Sequence, residues 1–347
     1  MRREKWIALA VLPILLLAGD FFYWRLALGE LREGFRIWTQ QAREAGWEVR
    51  HGALSPGGWP NAATVRVEDV TITHVGAAPG MPFSLSAGSE AVLLRVRLTR
   101  PDVVEITPLG LRPVRINEGP PLPLAADYLR LRLTLQPNAP PRAMEIDATA
   151  FSATLPNLGL LTIAAFHLRA DLNPDAGRDQ AAVVFTALAG PVALPDGVRW
   201  GLGPEVSDAA AEGVLNGPLP SGAGFAARAA AWRDGGGSLE LHRLSLGWGP
   251  ARINATATLA LDEDLQPMGA GTGKIAGYAA ALDALAANAV LTRSAAKAAK
   301  AVLSLLANTP IEGQPEEVEV PLALQFRTLS VRQVPLVRLP ELEWPDR

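Results

Sequence analysis

Four separated stretches of the chain alternate apolar with polar residues: TVRVEDVTIT at 64–73, AVLLRVRLT at 91–99, YLRLRLTL at 128–135 and SLELHRLSLGW at 238–248. A period of two belongs to a β-strand with one buried face, because successive side chains point to opposite sides of the backbone. In the third stretch Leu129, Leu131, Leu133 and Leu135 share one side, while Arg130, Arg132 and Thr134 share the other. Strands of a parallel sheet, covered by helices on both faces, read instead as continuous apolar runs. The pattern therefore predicts a mainly β chain with a largely antiparallel sheet. Pro and Gly punctuate these runs, as in PNAPP at 137–141, NPDAG at 173–177 and NGPLPSG at 216–222, so the connections read as turns and short loops.

The beginning of the chain has a different texture. Arg2, Arg3 and Lys5 precede WIALAVLPILLLAG, an apolar run from Trp6 to Gly19 that Asp20 ends. Cations before such a run hold that end in the cytoplasm, so residues 1–28 are read as a single-pass membrane anchor with the bulk of the chain exported. The run is shorter than the ~20 residues that usually span a bilayer, which leaves a cleaved signal peptide as the alternative. Leu16 is large for the residue two before a cleavage point at Ala18, and FFYW at 21–24 resembles an interfacial aromatic belt; both favour the anchor.

Trp24, Leu28, Leu31, Phe35, Trp38, Ala42 and Ala45 then recur at steps of four and three, one apolar stripe along a helix. Residues 29–46 are read as an amphipathic helix that packs this stripe on the following sheet and ends at Gly46. Residues 47–200 make a first β-rich half, the Gly/Pro-rich stretch 201–224 a long loop, and 225–347 a second β-rich half. Within the last, AALDALAANAVLTRSAAKAAKAVLSLLA predicts one interrupted helix or two at about 279–307, and strand returns at 316–334. Arg293, Lys297 and Lys300 fall at helical spacing and read as a solvated face.

Little in the chain points to chemistry. The formal net charge is −3 with the 32 basic residues spread along the chain, which lacks the basic footprint of a nucleic-acid binder. There is no cysteine to form a disulfide, a thiolate metal site or a nucleophile. His51, His74, His167 and His242 stand far apart in sequence and form no local metal pair. No residue is assigned a catalytic, cofactor-binding or metal-binding role, no cofactor is implied, and the chain is read as not an enzyme.

Two local motifs invite a different reading and do not sustain it. GAGTGKIAG at 269–277 misses the P-loop spacing, and Lys274 is followed by Ile275, which offers no hydroxyl to magnesium. Gly271, Gly273 and Ala276 fit a loose dinucleotide fingerprint, but the preceding strand INATATLAL ends at Leu261, well before Gly269. Alternation of Gly269, Gly271 and Gly273 instead predicts the return strand of a hairpin begun at Ile253, leading into a helix near Ala279. Asp262, Glu263 and Asp264 of LDEDLQP lack the glycine and glutamate positions of a calcium loop and read as the hairpin turn.

FRIWTQQAREAGWEVRHGALSPGGWP at 35–60 and WGPARINATATLALDEDLQPMGAGTGKIAG at 248–277 resemble the proteobacterial domain of unknown function 2125. The specific elements are Gly46-Trp47, Gly52, Gly58-Trp59-Pro60, Trp248-Gly249-Pro250, and Leu261-Asp262 followed by Pro267 and Gly269, and the resemblance runs from about residue 20. It carries no catalytic residues. It implies an AsmA-like envelope protein: an inner-membrane helix, then a curved antiparallel sheet, groove or sandwich, in the periplasm. The partners it implies are the inner membrane and phospholipid held in an apolar groove; a structural or assembly factor that binds another envelope protein is the alternative reading, and an envelope-acting hydrolase the less favoured one. A sheet with one apolar face must close, gain a second layer or hold something apolar. Two expectations stay open: an apolar face capped by the chain's own helices, and an open groove.

Overall fold

The computed structural model describes residues 2–74, 83–136, 139–220, 224–306, 317–331 and 334–344, with the side chains of 2–14, 16, 302, 305, 306, 334 and 336 left out. The chain divides into two compact units, one of residues 1–78, 83–121 and 130–141, the other of residues 79–82, 122–129 and 142–347.

The first unit opens with helix α1 (Arg2–Glu44), followed by β1 (Trp47–Arg50), β2 (Leu54–Gly57), β3 (Ala62–His74), β4 (Leu85–Arg97), β5 (Arg100–Leu111) and β6 (Arg115–Ile116). The short β7 (Leu124–Ala125) belongs to the second unit, and β8 (Tyr128–Gln136) contributes to the first from Arg130. All the pairing is antiparallel. β1 and β2 lie end to end along β3, β3 pairs β4, β4 pairs β5 and β6, and β5 pairs β8. Register places apolar residues opposite one another across the sheet: Val65 faces Leu94, Leu94 faces Ile106, and Ile106 faces Leu131.

Helix α1 covers that face. Leu28, Leu31, Ala63, Val65, Val67, Val70, Leu94 and Val96 form the buried core, with Trp24 and Phe35 packed against it. The predicted packing of the α1 stripe on the following sheet holds as far as Phe35. Trp38, assigned to the stripe, is 42% exposed, and Thr39 turns inward at 5%. The correction follows from helix geometry. A repeat of four and three averages 3.5 residues while the helix turns every 3.6, so a straight helix rotates its stripe by about 20° per heptad. Thr39 Oγ1 donates to the Arg36 carbonyl at 2.7 Å, which satisfies its buried hydroxyl. No helix among the described residues is long and apolar enough to cross a membrane. The apolar run expected to do so lies largely among the side chains outside the described set.

The second unit is an antiparallel meander. After β7 come β9 (Ala139–Leu155, in this unit from Arg142), β10 (Gly159–Leu172), β11 (Ala181–Ala189), β12 (Val192–Ala193) and β13 (Glu205–Asn216). The short β12 lies end to end with β11, both pairing β10 on one side and β13 on the other. Helix α2 (Phe225–Asp234) leads to β14 (Ser238–Trp248), β15 (Ala251–Leu261) and β16 (Pro267–Ala276). Helices α3 (Tyr278–Ala287) and α4 (Arg293–Leu306) precede β17 (Glu317–Gln325), β18 (Thr328–Val331) and β19 (Val334–Arg338). The pairing runs from β9 through β10, β11, β13, β14, β15, β16, β17 and β18 to β19. The Ala/Leu-rich segment is thus two helices; residue 307, at its predicted end, and residues 316, 332 and 333 of the last predicted strand lie outside the described residues.

Strand β13 occupies Glu205–Asn216, half of the segment 201–224 read from sequence as loop. VSDAAAEGVLN has no large apolar alternation to betray it, because small alanines sit on both of its faces. Its backbone is satisfied by β11 on one side and β14 on the other.

Candidate functional site: an apolar sheet face

The cross-strand register of the second unit sorts its side chains onto two unlike faces. One row runs Ile146, Leu168, Ala187, Ala211, Leu244, Ala255, Gly273 and Val320. The adjacent rows, through Phe185, Gly213, Leu241 and Ala257 and through Phe166, Ala189, Leu246 and Ile253, are equally free of polar groups. A further row carries Leu172, Val183, Leu215, Leu239, Leu259 and Gly269. From β10 to β17 no polar or charged side chain interrupts these rows.

The opposite face holds the charges, and they pair both across neighbouring strands and along a strand. Arg169 meets Glu145 at 2.9 Å and Asp171 at 2.8 Å, Arg243 meets Glu212 at 3.2 Å, and Lys274 meets Glu319 at 3.4 Å. The hydrogen bond and charge of Asp171, with the added charge of Glu145, raise the Arg169 pKa above its ordinary value. His167 Nδ1 lies 2.9 Å from Asp147 Oδ1 on this same face.

Cover over the apolar face is uneven. At one end α3 and α4 pack Tyr278, Leu282 and Leu303 over Val318 and Val320, which are 0% and 4% exposed. Between β10 and β14 the large side chains Phe166, Leu168, Phe185, Leu241 and Leu246 are only half-buried, and Leu244 is 43% exposed. The described helices of this unit pack mainly on β15 to β17, and α2 also donates from Trp232 Nε1 to the Asn216 carbonyl at the end of β13 at 2.9 Å. The two expectations left open are thus divided between the units: the apolar face around 91–99 is sealed by α1, while that around 238–248 is half-open. Register shifts within β13 and β14, at Glu212/Gly213 and Leu241/Leu244, mark bulges of the kind that bend a strand.

The motifs singled out in the sequence take structural roles here. Pro267–Ala276 is the return strand of the hairpin with β15 and runs into α3, so Gly269, Gly271 and Gly273 line the apolar face and Lys274 the polar one. Asp262 Oδ1 accepts hydrogen bonds from the backbone of Asp264 at 2.9 Å and of Gln266 at 2.8 Å, which makes LDEDLQP a closed turn. Lys300 pairs with Asp283 at 2.5 Å and ties α4 to α3, whereas Arg293 and Lys297 are exposed.

The other histidines stay apart. His242 is exposed beside Glu240 at 3.5 Å; in the first unit His74 is buried against the Trp47 ring at 5.0 Å, and His51 stands edge-on to Phe35 at 5.1 Å. His51 belongs to an open cleft of about 360 Å³ lined by Arg32, Glu33, Phe35, Arg36, Thr39 and Leu54. There Arg36 grips Glu33 and holds its carboxyl below the usual carboxylate range. Among the described residues no group of three His, Asp or Glu gathers as metal ligands would.

A family model described as an uncharacterized protein conserved in bacteria, DUF2125, matches residues 24–340. The chain belongs to the DUF2125 family. No curated protein and no solved structure matches it. The match takes in α1 from Trp24 and both apolar faces, so the sealed and the half-open parts of the fold both fall within the DUF2125 span.

Proposed function

We propose that this chain is a non-enzymatic, AsmA-like envelope protein of proteobacterial type, held in the inner membrane by α1 with its bulk in the periplasm, that binds phospholipid or passes it along the apolar face of the second unit. The observation that carries the reading is the set of rows without polar groups between β10 and β17, half-open from β10 to β14. Burial of apolar area is worth about 25 cal/mol per Å², and a contiguous exposed apolar surface on a soluble unit marks a binding site. Acyl chains need no hydrogen-bond partner, and this face offers none. The ion-paired opposite face keeps that side of the sheet wetted.

A photoactivatable phospholipid, incorporated into vesicles carrying the full-length protein, tests this. Crosslinked peptides from β11 to β14, with the label on apolar-face residues such as Leu241 and Leu244, are the expected result. Label confined to α1 overturns lipid binding by the sheet. Crosslinking of the same face to one protein partner instead of lipid would turn the reading to an assembly factor of the envelope.

A further inference from the structure

Two aromatic motifs that are distant in sequence meet at one end of the first unit. FFYW at 21–24 lies on α1, and Trp59 lies in the turn between β2 and β3; their rings touch, with Phe21 and Trp59 centroids 6.3 Å apart and edge-on, and Phe21 and Trp24 5.4 Å apart. The turn is fastened to the helix, because Trp24 Nε1 donates to the Gly57 carbonyl at 3.1 Å. Gly58 permits it, with φ +89° and Thr64 and the Ala62 carbonyl where a side chain would begin. These rings are nonetheless left in the open: Phe21 is 48%, Phe22 65% and Trp59 45% exposed.

The same end of the sheet carries cations. Ala62, three residues after Trp59, pairs with Arg97, which closes the next hairpin against Arg100. The Leu98 N–H donates to the Asn61 carbonyl at 3.3 Å, so the two turns lie side by side. Arg97 is held by Glu105 at 3.2 Å, whereas Arg100 is 68% exposed, with Asp102 only loosely placed at 3.9 Å.

We propose that this end of the first unit is a second membrane contact, in which Trp59 sits beside Phe21 and Phe22 at headgroup depth while Arg100 faces anionic headgroups. The proposal rests on the reading of α1 as an anchor. Its occupant is the bilayer itself, because the aromatic cluster follows the apolar run Trp6–Gly19 one residue on, and exposed aromatic rings, Trp59 among them, beside a cation are the composition that settles at a membrane interface. The contact would fix the tilt of the sheet on the bilayer, since β3 and β4 rise from it.

The chain has no cysteine, so a single introduced thiol labels one site. Nitroxide labels are attached to the full-length protein with Trp59→Cys, with Leu17→Cys on α1, and with Ile116→Cys at the far end of β4, about 40 Å away. The proteins are reconstituted in vesicles of phosphatidylethanolamine and phosphatidylglycerol, and collision with oxygen is compared with collision with a water-soluble nickel chelate. The expected result is a several-fold higher oxygen-to-nickel ratio at 59 than at 116, and a higher ratio still at 17. A label at 17 in lipid with the label at 59 as wetted as that at 116 overturns the second contact alone. Labels at 17 and 59 both in water overturn the anchor and this proposal with it. Asn61→Cys, in the same turn, repeats the measurement should loss of the indole disturb the fold.

Discussion

Gly271 stands in β16 on the apolar face, opposite Ala257 of β15 and Leu322 of β17. A methyl group placed on it overlaps the Thr256 carbonyl oxygen and approaches Ala257 Cα at 2.9 Å, so the two backbones come closer here than a side chain allows. Both obstacles are backbone or rigid, and relief requires the strands to separate. Gly271→Val is therefore expected to destabilise the fold by about 2 kcal/mol or more, read as a lowered midpoint in urea unfolding. An unchanged midpoint would mean that β16 does not approach β15 so closely. The alternation of Gly269, Gly271 and Gly273 was enough to place them on one face of a strand. The partner that needs the space was not legible, because Thr256 owes its position to register.

Helix α1 makes a contrast within one element. Leu31 is 7% exposed in the sealed core, while Trp38, at an equivalent step of the apolar stripe, is 42% exposed. Leu31→Ala is expected to cost about 2–5 kcal/mol, the range for truncating a buried leucine whose site collapses only partly. Trp38→Ala, despite removing a larger group, is expected to cost well under half as much, since its ring, beside Phe35 at 5.8 Å, is already 42% exposed. Chemical denaturation of the two variants checks the order, and a reversal would place Trp38 rather than Thr39 against the sheet. Periodicity located the helix and its first inward turns, and it erred where the drift of the helix had accumulated. In β13 it failed for the opposite reason: alanines on both sides leave no contrast between faces, and strand identity comes from pairing with β11 and β14.

The molecule as a whole carries one sealed apolar face and one half-open face. Leu244 lies in the half-open part at 43% exposure, and its neighbour Arg243 points to the other side, where it pairs with Glu212. Leu244→Lys is expected to abolish photocrosslinking of phospholipid to β13–β15 while the protein stays folded, because the new ammonium can reach water from a half-exposed position. Arg243→Gln is expected to leave crosslinking intact, since a surface ion pair contributes ~0–1 kcal/mol and faces away from the rows. Equal loss in both variants would show that the label reports the stability of the sheet and not its apolar face. Alternation within each strand established that antiparallel strands with one apolar side would form, and the Pro and Gly between them established that the connections would be short. Those properties are local: they depend on the backbone and on the residues next along the chain. Which apolar rows α1, α3 and α4 would cover, which would remain half-open, and that Trp59 would meet Phe21 were decided by tertiary structure alone, because register and helix packing join residues that the sequence holds far apart.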